Sequence, residues 1–162
     1  MNFRQRQPET PEPGTVAVDR ILLASEGRPI SPAALELAAR LAAQGGGKVH
    51  VFSVARVWGS GLGLPNPGLL PSKGEWDVQR EIVGSAVDAL KRRGVDATGH
   101  VLATRKATKR IVGEAERLGC HAIVMAADPP RSRLIADFMW SQEPYRVQRR
   151  ARVPVHLVTT GE

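Results

Sequence analysis

Cysteine is almost missing from this chain. Cys120 stands alone, so no internal disulfide can staple the fold, and a reducing compartment is the expected setting. Aromatics are only 4% of residues, so a core has to be assembled from Val, Leu, Ile and Ala. No apolar run approaches a bilayer span, and the first twenty residues lack the apolar segment of a secretion signal; a cytoplasmic protein with no membrane contact is expected. Zinc-type Cys/His spacing, an EF-hand loop, HExxH, GxSxG and the Walker lysine motif are all lacking, as is any internal repeat. Catalysis and metal binding therefore have no residues to stand on. One further absence is local: between Gly119 and Gly161 there is no glycine.

Acidic excess is also lacking, and the basic excess is one-sided. Residues 1–90 hold nine Lys/Arg and nine Asp/Glu, whereas residues 91–162 hold fourteen against seven, which is the whole formal charge of +7. Such a half suits an anionic partner, whether nucleotide, nucleic acid or acidic protein, and equally a plain solvated surface.

What is present is a regular alternation. Residues 1–15 are polar and proline-rich and read as a disordered tail ahead of one α/β domain, 16–162. "VDRILLAS" gives a short buried strand ending at Ser25. Ser31-Pro32 starts a helix with apolar residues at Leu35, Ala38, Leu41 and Ala42, and "GGG" at 45–47 stops it. "KVHVFSV" is the second strand, followed by a Gly/Pro loop over 55–72 that carries Trp58. A long helix from Ser72 to Arg93 shows the stripe Trp76, Ile82, Val83, Ala86, Val87 and Leu90, with Gln79 its one polar interruption. "ATGHVLA" is strand three. Residues 106–118 form a helix facing Ile111, Ala115 and Leu118 inward, and "HAIVMAA" is strand four. A helix over Tyr145–Ala151 and a strand "VPVHLVTT" complete the chain.

This β-α-β-α-β-α-β-α-β order with near-continuous apolar strands predicts a parallel sheet with helices on both faces. Ligands in such sheets sit beyond the carboxyl ends of the strands where the strand order reverses. That rim gathers Ser25 to Arg28, Val54 to Trp58 and Ala126 to Arg133.

The segments "RILLASEGRPISPAALELAARLA", "VHVFSV", "IVGEAERLGCHAIVMA" and "RVQRRARVPVHLV", in this order and spacing, resemble the universal stress protein family over residues 18–159. The resemblance implies a doubly wound, flavodoxin-like five-stranded sheet of order 3-2-1-4-5. It also implies a homodimer through the last strand, Val153 to Val158. ATP-binding members hold the nucleoside with a Thr-Asp pair after strand one and a Val ending strand two. They seat the phosphates on a glycine motif after strand four. Carried over, these positions fall on Ser25 and Glu26 with Gly27 kept, on Val54, and on Ala127, Pro130, Trp140 and Ser141, with Arg131-Ser132 between. The register of the last group shifts by a residue when it is matched backward from "RVQRRARVPV". In either register every glycine of the phosphate motif is gone.

Glycine serves a phosphate loop by allowing positive φ and by letting oxygens reach backbone N–H groups. Pro129 and Pro130 have no N–H and fix φ near −65°. Each lost charge-assisted bond costs about 1.5–3 kcal/mol of binding, and two would move a micromolar site towards millimolar. The expectation is a non-catalytic stress-type regulatory domain that has lost standard ATP binding and acts as a dimer through an unidentified protein partner or a non-standard ligand. The alternative is an adenine-nucleotide binder, with ATP among its ligands, in which Arg131, Arg133 and the cluster Arg105, Lys106, Lys109 and Arg110 at the start of the third helix replace backbone donors. A third reading, a polyanion binder, draws on Arg146, Arg149, Arg150 and Arg152, a patch that a two-fold axis at the last strand would double. Nucleic acid is disfavoured at this point, because aromatics do not interleave with these cations. Cys120 and the four histidines read as structural.

Overall fold

Each apolar run becomes a strand and each amphipathic run a helix. The computed structural model describes residues 19–57, 70–129 and 142–159. Strands β1 (Arg20–Ser25), β2 (Lys48–Arg56), β3 (Asp96–Thr104), β4 (Ala122–Ala127) and β5 (Val155–Thr159) form one parallel sheet in the order β3-β2-β1-β4-β5. Helices α1 (Pro32–Gly45), α2 (Lys73–Arg92), α3 (Ala107–Arg117) and α4 (Glu143–Arg150) connect them. This is the doubly wound, flavodoxin-like architecture expected from the alternation. The 1–15 tail, Trp58, most of the 55–72 loop and residues 130–141 lie outside the described residues.

The sheet divides the core in two. On one face α1 and α2 cover Ile21, Leu23, Val49, Val51 and Val124 with Ala38, Ala42, Val83 and Leu90. On the other, α3 and α4 cover Leu22, Phe52, Val54, Ile123 and Met125 with Ile111, Ala115 and Val147. Alternate residues of β1, β2 and β4 serve opposite layers, which is why their sequences read as continuous apolar runs. Serine caps start the first two helices: Ser31 Oγ accepts from Ala34 N at 3.1 Å and Ser72 Oγ from Glu75 N at 3.2 Å. Gly99 allows α2 to lie close on β3, since a Cβ there would sit 2.4 Å from Val83 Cγ1 and 2.8 Å from Val87 Cγ2.

Four boundaries and one role differ from the sequence reading. β2 runs on to Arg56 because Ala55 and Arg56 find ladder partners in Ala103 and Thr104 of an equally extended β3. β5 begins at Val155 rather than Val153, since Pro154 has no N–H for the ladder and enters only through its carbonyl, which accepts from Ile123 N at 3.0 Å. α4 starts at Glu143, with Pro144 in its first turn where a missing N–H costs nothing, and ends at Arg150. α3 ends at Arg117 with Leu118 as its cap, half-buried and packed inward against the core as expected. Trp76 does not head the core stripe. It is half-buried, with the Arg80 guanidinium 5.3 Å above its ring, and the inward face of α2 consists of Gln79, Val83, Ala86 and Leu90.

Cys120 is buried and burial pushes its thiol up to about 11, the profile of inert packing. The imidazoles make single polar contacts: His50 Nδ1 to Thr98 Oγ1 at 3.0 Å, His100 Nε2 to Glu114 at 2.9 Å, and His121 Nδ1 to Asp19 at 2.7 Å. Among the described residues no cluster of three metal-ligating side chains occurs. No described helix is long and apolar enough to cross a membrane.

Candidate functional site

The chain builds β2 and β3 to one side of β1 and β4 and β5 to the other, so the strand order reverses between β1 and β4. The carboxyl ends of those strands open the crevice where ligands of such sheets are held. Ser25, the last residue of β1, ties down the turn that follows: its Oγ accepts from Gly27 N at 3.1 Å and donates to Arg28 O at 2.5 Å. Gly27 sits at φ 121°, a backbone conformation that side chains resist.

The turn aims a charged chain across the crevice. Glu26 is fully buried and its Oε1 accepts from Arg28 Nε. The two terminal nitrogens of Arg28 reach the two carboxylate oxygens of Asp128, just past β4, at 3.2 and 3.3 Å. This fork spans the gap between β1 and β4. Tyr145 of α4 fixes the far end by donating its hydroxyl to Asp128 O at 2.5 Å. Burial pushes the Glu26 carboxyl above its ordinary value, and the charges of Arg28 and Arg56 offset only part of that. For Arg28 burial acts the other way, but Glu26 and Asp128 outweigh it and hold the guanidinium more firmly charged.

A second brace comes from β2. Arg56 Nε donates to Glu26 O at 3.2 Å, and its Nη2 lies 3.9 Å from the Glu143 carboxylate of α4. The second Glu143 oxygen accepts from the Thr108 hydroxyl at the start of α3. Inside, Ser53 Oγ donates to Gln79 Oε1 at 2.6 Å and Gln79 Nε2 donates to Gly27 O at 2.9 Å. The polar break in the α2 stripe thus carries a relay from β2 to the turn after β1.

Beside these braces lies a cavity of about 340 Å³, lined by Gly27, Val54, Arg56, Glu75, Val78 and Gln79 among others. It is the size of a small-ligand site, mostly apolar with a few converging polar groups. Gly27 and Val54, both singled out from sequence, meet on its wall. Ser25 and Glu26 lie buried behind it and shape the turn, and Ala127 is buried at the end of β4, away from the lining. Pro130, Arg131, Ser132, Arg133, Trp140 and Ser141 lie outside the described residues. Arg105, Lys106, Lys109 and Arg110 do come together, in a separate open groove of about 820 Å³ shared with Val57, Leu70, Thr104, Gly113 and the Glu114–Arg117 pair.

Arg28, Arg56 and Asp128 fell within the rim marked from sequence but were given no role there, and Gln79 lay outside it. Gln79 left a signal, being polar at an inward helical position. Arg56 was placed in a loop, because the strand that carries it looked two residues shorter. The Arg28–Asp128 pair joins residues 100 positions apart, and no local pattern announces it.

Comparison with known proteins places this geometry. A family model described as the universal stress protein family matches residues 17–159. A crystal structure of a protein from that family from Burkholderia pseudomallei superposes with a TM-score of 0.65 at 23% identity, covering 90% of this chain and 98% of that one. The universal stress protein from Archaeoglobus fulgidus in complex with dAMP superposes at 0.63 with 21% identity, covering 87% and 98%. A universal stress protein in complex with cAMP also gives 0.63, with 17% identity, covering 90% and 99%. No curated protein matches the chain in sequence. At these identities the superpositions speak for the fold.

Proposed function

The chain belongs to the universal stress protein family, and from that premise we propose that it is a non-catalytic regulatory domain that keeps the nucleoside half of a nucleotide site and has given up the grip on a triphosphate. The observation that carries this reading is the Arg28–Asp128 fork across the crevice, next to the open cavity at Gly27 and Val54. A triphosphate crossing the rim would have to displace Asp128 from Arg28 and would then meet that carboxylate as an uncompensated like charge. Pro129, immediately after Asp128, offers no N–H to an oxygen. The cavity wall asks little of a phosphate and much of a flat, partly apolar ring. That two solved relatives are complexes with dAMP and with cAMP supports an adenosine monophosphate class of ligand.

The domain acts as a homodimer through β5. Two observations support this: β5 closes one edge of the sheet with β4 as its single strand neighbour, and its side chains are half-buried. A second copy paired along that edge would satisfy its outer ladder groups.

Thermal unfolding of the full chain with about millimolar AMP, cyclic AMP or Mg-ATP tests the ligand reading. A ligand present at a hundred times its Kd adds about 2.7 kcal/mol. For this length that is a rise of several degrees in Tm. AMP or cyclic AMP should raise Tm, and Mg-ATP should raise it less than either. A larger shift with ATP would show that side chains have rebuilt the phosphate site, and no shift with any of the three would remove the nucleotide altogether. Sedimentation of the same sample should give a dimer, and a monomer at micromolar concentration would remove the β5 pairing.

A further inference from the structure

The two helical layers differ sharply in charge. On the α1/α2 side the cations are interleaved with acids and several are paired, as in Arg93 with Glu36 and Arg80 with Asp77 at 3.8 Å. On the α3/α4 side the acids among the described residues are largely consumed. Glu114 is buried against Arg117 and His100, and Glu143 against Thr108 and Arg56, leaving Glu116 exposed. The cations stay in solvent: Arg105, Lys106, Lys109 and Arg110 are exposed and make no ion pair among the described residues, and so are Arg149, Arg150 and Arg152 at the end of α4.

Their placement is ordered. Lys106 is the N-cap of α3, and Lys109, Arg110, Gly113 and Arg117 follow at spacings of one, three and four residues, which is a single face of the helix. That face lines the open groove beside the end of β3, about 820 Å³ in volume. Over its length the stripe runs about 16 Å, at 1.5 Å per residue. Gly113 lies in the middle of this face and of the helix, and a Cβ built on it meets nothing within 4 Å. Packing therefore does not require a glycine there, although glycine is a poor residue for a helix interior. What it does provide is a bare stretch of helix flanked by cations, against which a rod-shaped anion can lie closely.

We propose that this stripe is a docking surface for the phosphate backbone of a nucleic-acid duplex, held by Lys106, Lys109 and Arg110 with the strand seated over Gly113, and with Arg117, paired to Glu114, at its far end. A duplex presents one negative charge per about 1.7 Å of axis, so a 16 Å stripe faces several phosphates at once. A duplex holds its phosphates in a fixed row that matches a straight stripe of cations, whereas a flexible single strand presents no such row. That favours a duplex over a single strand and makes the contact sequence-independent. This surface is separate from the cavity at Gly27 and Val54, and it stands whether or not a nucleotide binds there.

The test is fluorescence anisotropy of the full chain with a labelled mixed-sequence DNA duplex of about 20 base pairs, titrated between about 50 and 200 mM salt. Binding should weaken steeply with salt, be indifferent to a scrambled sequence and exceed binding to either single strand. Lys109→Glu/Arg110→Glu should weaken it at least about tenfold and lower the salt slope by about two. Lys91→Glu/Arg92→Glu on α2, which changes net charge equally, should leave it within about twofold. Gly113→Leu, which alters no charge and improves helix propensity, should also weaken binding several-fold. Equal losses from the α2 and α3 reversals would overturn the proposal in favour of net charge alone. So would equal displacement by polyglutamate and by unlabelled duplex, tighter binding of the single strand, or a Gly113→Leu variant that binds undiminished.

Discussion

Replacing Arg28 by methionine should destabilise the chain by about 3 kcal/mol at neutral pH, and most of that loss should return when Glu26 is replaced by leucine in the same molecule. The reason lies in an unequal pair. Glu26 is wholly buried, with its side chain 1% exposed, whereas the Asp128 carboxylate at the other end of the fork is 43% exposed. The solvated end contributes little to stability. The buried end leaves a charge in the interior once its partner goes, opposed by the weaker pull of Arg56, which donates to the Glu26 carbonyl. Removing both charges removes the problem, which is why the double variant should recover while the single one does not.

The same loss should depend on pH, with a sign the environment sets. Burial already raises the Glu26 carboxyl above its ordinary 4.5, and deleting Arg28 takes away the largest opposing charge. A group whose folded value is raised contributes stability that is complete below its unfolded value and is lost as pH rises through the folded one. The Arg28→Met deficit should therefore be small near pH 4 and grow towards neutrality. Glu114 behaves oppositely, because hydrogen bonding from Arg117 holds it low and its contribution is lost as pH falls. It is common to both proteins and cancels in the difference. Urea unfolding at three pH values between about 4 and 7.5 reads this directly. A pH-independent deficit, or a double variant no better than the single, would sink this account of the crevice.

Why some of this was legible in sequence and some was not follows from the range of the interactions involved. The order of elements could be read because β1, β2 and β4 are covered on both faces, so Ile21 to Leu23, Val49 to Val54 and Ile123 to Met125 leave uninterrupted apolar runs. Helix starts could be read at Ser31 and Ser72, whose caps involve residues three positions away. The end of β2 could not, since Ala55 and Arg56 are held in the sheet by partners on β3 some fifty residues on. Glycine-free residues 120–160 drew attention to the crevice, but what spans it is a pairing of Arg28 with Asp128 that only the completed sheet creates. The α3 stripe was half visible: its cations were noted as a cluster, while their alignment on one face around Gly113, and the burial of the neighbouring acids, emerge only once α3 and α4 are packed.

Gln79 offers the sharpest link from one sequence anomaly to the site. Substituting leucine should cost about 2–4 kcal/mol even though leucine suits the buried face of α2 better. Two buried groups lose their partner at once: the Ser53 hydroxyl, 2.6 Å from Oε1, and the Gly27 carbonyl, 2.9 Å from Nε2. An orphaned buried polar atom costs about 1–3 kcal/mol, more than the apolar gain of one leucine on an already buried surface. Adding Ser53→Ala removes one orphan and should recover roughly half of the loss, since residues sharing a hydrogen-bond relay are not additive. Recovery cannot be complete, because the Gly27 carbonyl belongs to the backbone. That carbonyl is also where stability meets ligand binding: Gly27, at φ 121°, lines the cavity together with Val54, and Gln79 is the side chain that fixes it. In the doubly substituted protein, at a temperature where it is fully folded, AMP should bind at least about tenfold more weakly than to the unaltered chain. A folded Ser53→Ala/Gln79→Leu protein with undiminished AMP affinity would mean that the relay serves the fold alone, and that the ligand, if bound, rests elsewhere on the rim.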